Sequence, residues 1–249
     1  MDVTILFRLG PALLVAWVVA QRLGRVAGAE RRDVTDQLLR VLIIGLVVGR
    51  VVHLVLEPAP LDATLGIAML VRAGVETGAA VLVAVALVAR DARAAGSSWL
   101  AGAAVTAALA GMAVWHGLCE VQGVCAGTPA AWGVRFSGRA FPAVPTAYIE
   151  AALLAGLGWM AWGWRDSLRR VLAVGAVGAI VRIGLGFVRP VLGGHPSRDQ
   201  LWFLVIALLL AAAAWRRWPD LDAATVPNAA APATDDLPIR SAEEPSHGR

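Results

Sequence analysis

The sequence predicts an all-α fold: a polytopic membrane helical bundle of seven transmembrane helices, with its N-terminus outside and its C-terminus cytoplasmic. Three observations predict it. The 249-residue chain is 58% hydrophobic, with a mean hydropathy of +0.68, too apolar for an ordinary water-soluble domain. Its apolar residues fall into seven blocks near the roughly 20 residues that a bilayer crossing needs. Its arginines concentrate in alternate connections between those blocks.

In order, the blocks predict helices near 4–21, 38–56, 63–88, 99–118, 147–164, 168–188 and 201–216. The first has no basic leader and no small-residue cleavage site before its charges, so it is expected to stay as a span rather than leave as a signal peptide. The third is longer than a crossing requires, which predicts tilt or a break at Gly74 or Gly78. Residues 1–218 therefore read as one membrane domain, with a small extracytoplasmic cap at about 120–146. From Pro219 the chain turns to Ala, Pro, Asp, Glu and Ser and lacks the apolar bulk for a core. Residues 219–249 are expected to be a disordered cytoplasmic tail.

Orientation comes from the charges. Arg22, Arg25, Arg31 and Arg32 lie after the first block, Arg90 and Arg93 after the third, and Arg165, Arg169 and Arg170 after the fifth, which makes those connections cytoplasmic. Arg216 and Arg217 close the last block on the same side. Tryptophans agree: Trp115, Trp132 and Trp202 are expected near the outer boundary, and Trp99, Trp159, Trp162, Trp164 and Trp215 near the inner one.

This orientation brings ionisable residues of the apolar blocks to one depth near the outer face. Arg50 and His53 share a face of the second helix, Arg72 and Glu76 lie one turn apart on the third, and His116, Glu120, Arg182, Arg189 and Arg8 join them. A charge in hydrocarbon costs roughly 2.5–3.5 kcal/mol on insertion scales, so such a layer marks a site for something polar. Simpler readings exist for several members. Arg8 and Arg189 stand near helix ends and fit snorkelling, Arg72 and Glu76 fit an intrahelical ion pair, and His116 beside Trp115 fits an interfacial histidine. Arg50 and Arg182 lie deeper, with no acid nearby in sequence. The excess of Arg over Glu implies an anionic ligand, and at this depth the commonest anion is a phospholipid headgroup.

Composition also excludes some classes. Every one of the 22 basic residues is Arg, so a retinal Schiff base, which needs a lysine amine, is ruled out. The arginines sit at helix ends or inside apolar blocks, not in a solvated basic patch, so no nucleic acid is expected. No spacing gives a metal site, and no cofactor is expected.

The segment from Trp115 to Phe136, together with Pro145, Thr146, Tyr148 and Glu150 beyond it, resembles the signature region of the prolipoprotein diacylglyceryl transferase family. Gly123, Gly127, Pro129, Trp132, Gly133 and Val134 fit its glycine stretch, Gly-x-Pro turn and Trp-Gly-Val strand. Asp36 with Gly49 and Arg50 resembles the second-helix pattern, Arg182 and Arg189 the Arg-rich sixth helix, and Gln200 the glutamine opening the last span. The likeness runs from Arg8 to Trp215.

The resemblance implies a multi-pass enzyme of the bacterial plasma membrane. It would transfer the diacylglyceryl group of phosphatidylglycerol to the lipobox cysteine thiol of preprolipoproteins, with membrane lipids and preprolipoproteins as its partners. It also implies that Arg50, Arg182 and Arg189 hold the lipid phosphate, with Arg72, His53 and Gly127 contributing and His116 as base or phosphate contact. Pre-oriented guanidinium groups suit a leaving phosphate that gains charge as its bond breaks. The chain departs from the pattern at several positions. His116 stands where the family has an arginine, Gly186 where it has an acid, Gly78 where it has a histidine and His53 where it has a tyrosine, and the first helix has no tyrosine. Two readings are open: a divergent enzyme in which histidines take over, or a catalytically inactive phospholipid-binding paralogue. Cys119 and Cys125 are spaced for a disulfide on the oxidising side, or for two separate thiols.

Overall fold

The computed structural model describes residues 3–56, 75–94, 99–121, 125, 127–136, 140–165, 167–188 and 197–216. Within them lie seven helices: α1 Val3–Val26, α2 Arg31–Leu56, α3 Thr77–Ala94, α4 Trp99–Val121, α5 Thr146–Gly163, α6 Leu168–Gly186 and α7 Arg198–Trp215. One short strand, β1 Pro129–Val134, comes after α4. Four helices contain segments long and apolar enough to cross a membrane: Phe7–Val26, Arg31–Leu56, Trp99–Cys119 and Arg198–Trp215. Residues 219–249, read as a tail, lie outside the described residues.

The helices run back and forth. Gly28, at φ +76°, turns the chain after α1 in a left-handed conformation that favours glycine. The α1–α2 corner is then tied by Gln21 Nε2, which donates to the Arg31 carbonyl at 2.9 Å and to Thr35 Oγ1 at 2.8 Å. At the same end Gln37 Nε2 donates to Asp91 Oδ2 at 2.7 Å, and Arg40 pairs with that carboxylate at 3.3 Å, joining α2 to the end of α3. The opposite end carries the start of α1, the ends of α2, α4 and α6, the starts of α3, α5 and α7, and the loop containing β1.

That loop is a small cap. The Ala130 amide donates to the Pro142 carbonyl at 3.0 Å, Val144 to Thr128 at 3.0 Å, and Gly127 to Val144 at 2.8 Å. The Thr128 amide donates to the Val188 carbonyl at 3.2 Å, fastening the cap to the end of α6. Cys119 and Cys125 are disulfide-bonded, with their Cα atoms 5.6 Å apart, which anchors the cap to α4.

Small residues set the helix spacing. A Cβ on Gly111 would lie 3.1 Å from the Ala12 carbonyl oxygen, so α4 and α1 meet nearly backbone to backbone. Gly178 of α6 leaves room for Leu109 of α4, and Gly45 of α2 for the Ala80 backbone of α3. Interfaces of this kind bind helices through close contact where no hydrophobic drive exists between them, as in lipid. The α4 span is the most enclosed, half of it buried against 17% for α2. Large apolar side chains point outward instead, among them Leu14, Ile43, Val55, Ile180 and Leu208. Such an apolar exterior suits acyl chains rather than water.

The break expected in the third block at Gly74 or Gly78 is present: residues 75 and 76 are non-helical and α3 starts at Thr77. There the Glu76 amide donates to the Gly49 carbonyl at 3.0 Å, so the chain bonds sideways to α2 before the helix begins. One element differs from the sequence expectation: the second helix starts at Arg31 rather than 38, because its polar first turns continue the helix beyond the apolar block.

Candidate functional site

The cap end holds a buried polar cluster drawn from three helices. Arg182 Nη1 of α6 donates to Glu150 Oε1 of α5 at 2.8 Å and contacts His116 Nε2 of α4 at 2.9 Å. His116 Nε2 is also 3.3 Å from Glu150 Oε1. Glu150 is 0% exposed and His116 4%, whereas the Arg182 side chain keeps 16% of its surface open. On the remaining side, the Arg182 guanidinium lies over the Phe203 ring of α7 at 5.3 Å, within cation–π range.

Nη1 of Arg182 faces both Glu150 Oε1 and His116 Nε2, so a single guanidinium nitrogen joins the three helices. A guanidinium only donates, and the donor and acceptor roles of the imidazole follow from its tautomer.

A second cluster joins α2, α3 and α7. Trp202 Nε1 donates to Glu76 Oε1 at 2.9 Å, and Arg198 Nη1 lies 3.8 Å from Glu76 Oε2. Arg50, only 5% exposed, comes directly after Gly49, whose missing Cβ admits the Glu76 backbone. Gly78 is required here: any Cβ would overlap the Cβ and ring of Trp202. Since Trp202 and Phe203 are consecutive, α7 borders both clusters. Nearby, Arg8 Nη1 of α1 donates to Cys119 Sγ at 3.1 Å.

The residues singled out by sequence divide accordingly. Arg182 and His116 are in direct contact, Arg50 lies beside the second cluster, and His53 is half-buried one turn further along α2. Gly127 is a cap residue, packed against Thr146 and the Val144 carbonyl. Arg72 and Arg189 lie outside the described residues. Arg182 has no acid nearby in sequence, and the structure supplies Glu150 from 32 residues away. Of the Arg72–Glu76 alternative, Arg72 lies outside the described residues, and Glu76 bonds Trp202 and pairs with Arg198. Trp202, expected near the outer boundary, directs its indole N–H to Glu76.

Glu150 is the residue that sequence reasoning placed in a motif but not in the site. Its signal was available: it is the sole acid between residues 146 and 163, and an ionisable group within an apolar helix implies a partner. Gln200, by contrast, has a structural role. It forms a capping box with Ser197 and donates from Nε2 to the Ile183 carbonyl at 3.2 Å. Gly186 makes room for that glutamine.

These features define an all-helical protein with four helices fit to cross a membrane and an enclosed polar cluster at one end of its bundle. Compared with known protein families, curated proteins and solved structures, the chain finds no match.

Proposed function

We propose that this protein is a seven-span enzyme of the bacterial cytoplasmic membrane, with its N-terminus and cap outside. It transfers the diacylglyceryl group of phosphatidylglycerol to the lipobox cysteine of preprolipoproteins. The observation that carries this reading is the Arg182 side chain, 16% exposed and held at the cap end by Glu150, His116 and Phe203. A guanidinium held in place by its neighbours suits a phosphate whose charge grows as it leaves.

In this reaction the thiol sulfur bonds to the glyceryl carbon as the carbon–oxygen bond to phosphate breaks. The bonding pair departs on glycerol phosphate, and the thiol proton passes to a base, the role assigned to His116. Arg182 meets the phosphate, Arg50 and Arg189 add positive charge, and Arg72, His53 and Gly127 belong to the lipid-binding surroundings.

The test combines purified protein, phosphatidylglycerol and a lipobox peptide. Thioether-linked lipidated peptide and released glycerol phosphate are expected, with both lost in Arg182→Ala. Wild-type turnover in that variant would remove the mechanism. The compensation of Arg182 by Glu150 favours one second reading, a phospholipid-binding protein without transfer. Bound phosphatidylglycerol without rescue of a transferase-depleted strain would support it.

A further inference from the structure

We infer that the acidic segment 219–249 docks onto an arginine rim at the end of the bundle opposite the cap. Five exposed arginines form that rim: Arg22 and Arg25 at the end of α1, Arg90 near the end of α3, Arg169 at the start of α6 and Arg216 directly after α7. Among the described residues, none of the five has an ion pair. Several neighbours at the same end are already engaged. Arg32 pairs with Asp36 at 3.8 Å and Arg40 with Asp91 at 3.3 Å, while Arg31 lies 5.1 Å over the Trp17 ring and Arg170 5.8 Å over that of Trp164. The exposed acids Glu30 and Asp33 still leave arginine in excess there.

Charge and chain length name the occupant. Beyond Arg217 the sequence carries six acids, Asp220, Asp222, Asp235, Asp236, Glu243 and Glu244, against two arginines, Arg240 and Arg249, for a net charge of −4. The whole chain is +4, so the part before this segment is +8. With little apolar bulk, the segment offers a partner chiefly its carboxylates, and these match the guanidinium fork. It also departs beside the rim: α7 packs on α3 and α6, which sets Arg216 at the same end as Arg90 and Arg169. An extended chain covers up to about 3.3–3.6 Å per residue, so Asp235 and Asp236 can reach any point of that end.

Each such pair is weak when exposed, and charges more than about 8 Å apart are screened at physiological ionic strength. The tether offsets this weakness, because it holds the carboxylates near the rim at an effective concentration on the order of millimolar. Several weak contacts at that concentration give docking that is multivalent, reversible and sensitive to salt. The docked carboxylates stand where anionic headgroups of the surrounding lipid would otherwise meet the arginines. Helix direction alone puts the segment and the rim at one end, so docking depends neither on which side of the membrane that end faces nor on any catalytic activity.

The experiment measures the distance between spin labels at Ala94→Cys, on the end of α3, and Ala242→Cys, beside Glu243, in the full chain held singly in lipid nanodiscs. Both native cysteines lie in the Cys119–Cys125 disulfide, so only the introduced thiols take the label. In phosphatidylcholine discs at low salt a narrow, short-distance population is expected. It should be lost at high salt, and lost at low salt when the six acids are changed to Asn and Gln. That variant leaves every residue of the bundle in place, so loss of docking is not a folding defect. Distances unchanged by salt and by removal of the six charges overturn docking. Discs containing phosphatidylglycerol supply the competitor: a short distance that persists supports the segment as resident, and its replacement by long ones means that lipid phosphates hold the rim instead, which overturns it. Chains carrying one label each, mixed in detergent, test a second copy as occupant. A short distance between chains overturns docking within one chain, and its absence supports it.

Discussion

Glu150 accepts from Arg182 at 2.8 Å while no part of the carboxylate side reaches solvent, so two ions from separate helices neutralise each other inside the bundle. Removing either partner leaves the other buried without that compensation. Glu150→Ala is expected to lower stability by about 3–5 kcal/mol, and Glu150→Gln, which keeps an acceptor, by less. Thermal unfolding in detergent checks this. The double variant Glu150→Gln, Arg182→Met should lose less than the two single losses added together; simple additivity would show that the pair is not coupled.

The α3–α7 contact depends on a missing side chain. Gly78→Ala would push α3 away from Trp202, and overpacking of this kind costs about 1–3 kcal/mol. Replacing Trp202 with a smaller residue in the same chain should recover part of that loss, although the hydrogen bond to Glu76 goes with it. A melting temperature unchanged by Gly78→Ala would contradict the close approach.

The disulfide closes a short loop, with a sequence separation of six between Cys119 and Cys125. On loop-closure entropy alone, its loss costs about 2 kcal/mol, confined to the cap. Reduced protein, or Cys119→Ser with Cys125→Ser, should be cut faster by protease between residues 122 and 145, while far-ultraviolet circular dichroism of the helices stays unchanged. Equal cleavage rates with and without reductant would mean that the strand pairing and the Thr128 link to Val188 hold the cap unaided.

The proposed seven-span topology has its own check. A fluorescent protein fused after Trp218 should fold and fluoresce in the cytoplasm, whereas alkaline phosphatase inserted in the cap should be active outside. Active phosphatase at the C-terminal site would reverse the orientation and move the polar cluster to the cytoplasmic face.

Helix positions were legible because apolar length is a local property. Each of the seven blocks contains or overlaps a described helix, and the shifts have local causes. The α7 start at Arg198 comes from the Ser197–Gln200 capping box, and the non-helical residues 75 and 76 before α3 from the sideways bond between Glu76 and Gly49. Trp-Gly-Val was expected as a strand and lies within β1. The disulfide was one of two alternatives permitted by spacing, and the structure selects it.

Partners across the bundle were not legible. Glu150 is 32 residues from Arg182, and Glu76 is 126 from Trp202. A helix with a polar stripe announces its inner face, but α5 and α6 are apolar on nearly every side, so their residue order carries no such mark. Residue order alone established a helical, arginine-bearing membrane chain with ionisable groups gathered toward one end. Which of those groups touch was settled by helix rotation, and rotation depends on what the glycines admit: the Trp202 side chain at Gly78, the Ala12 backbone at Gly111 and the Leu109 side chain at Gly178. Close packing between helices is a property of two surfaces together, and neither surface specifies it alone.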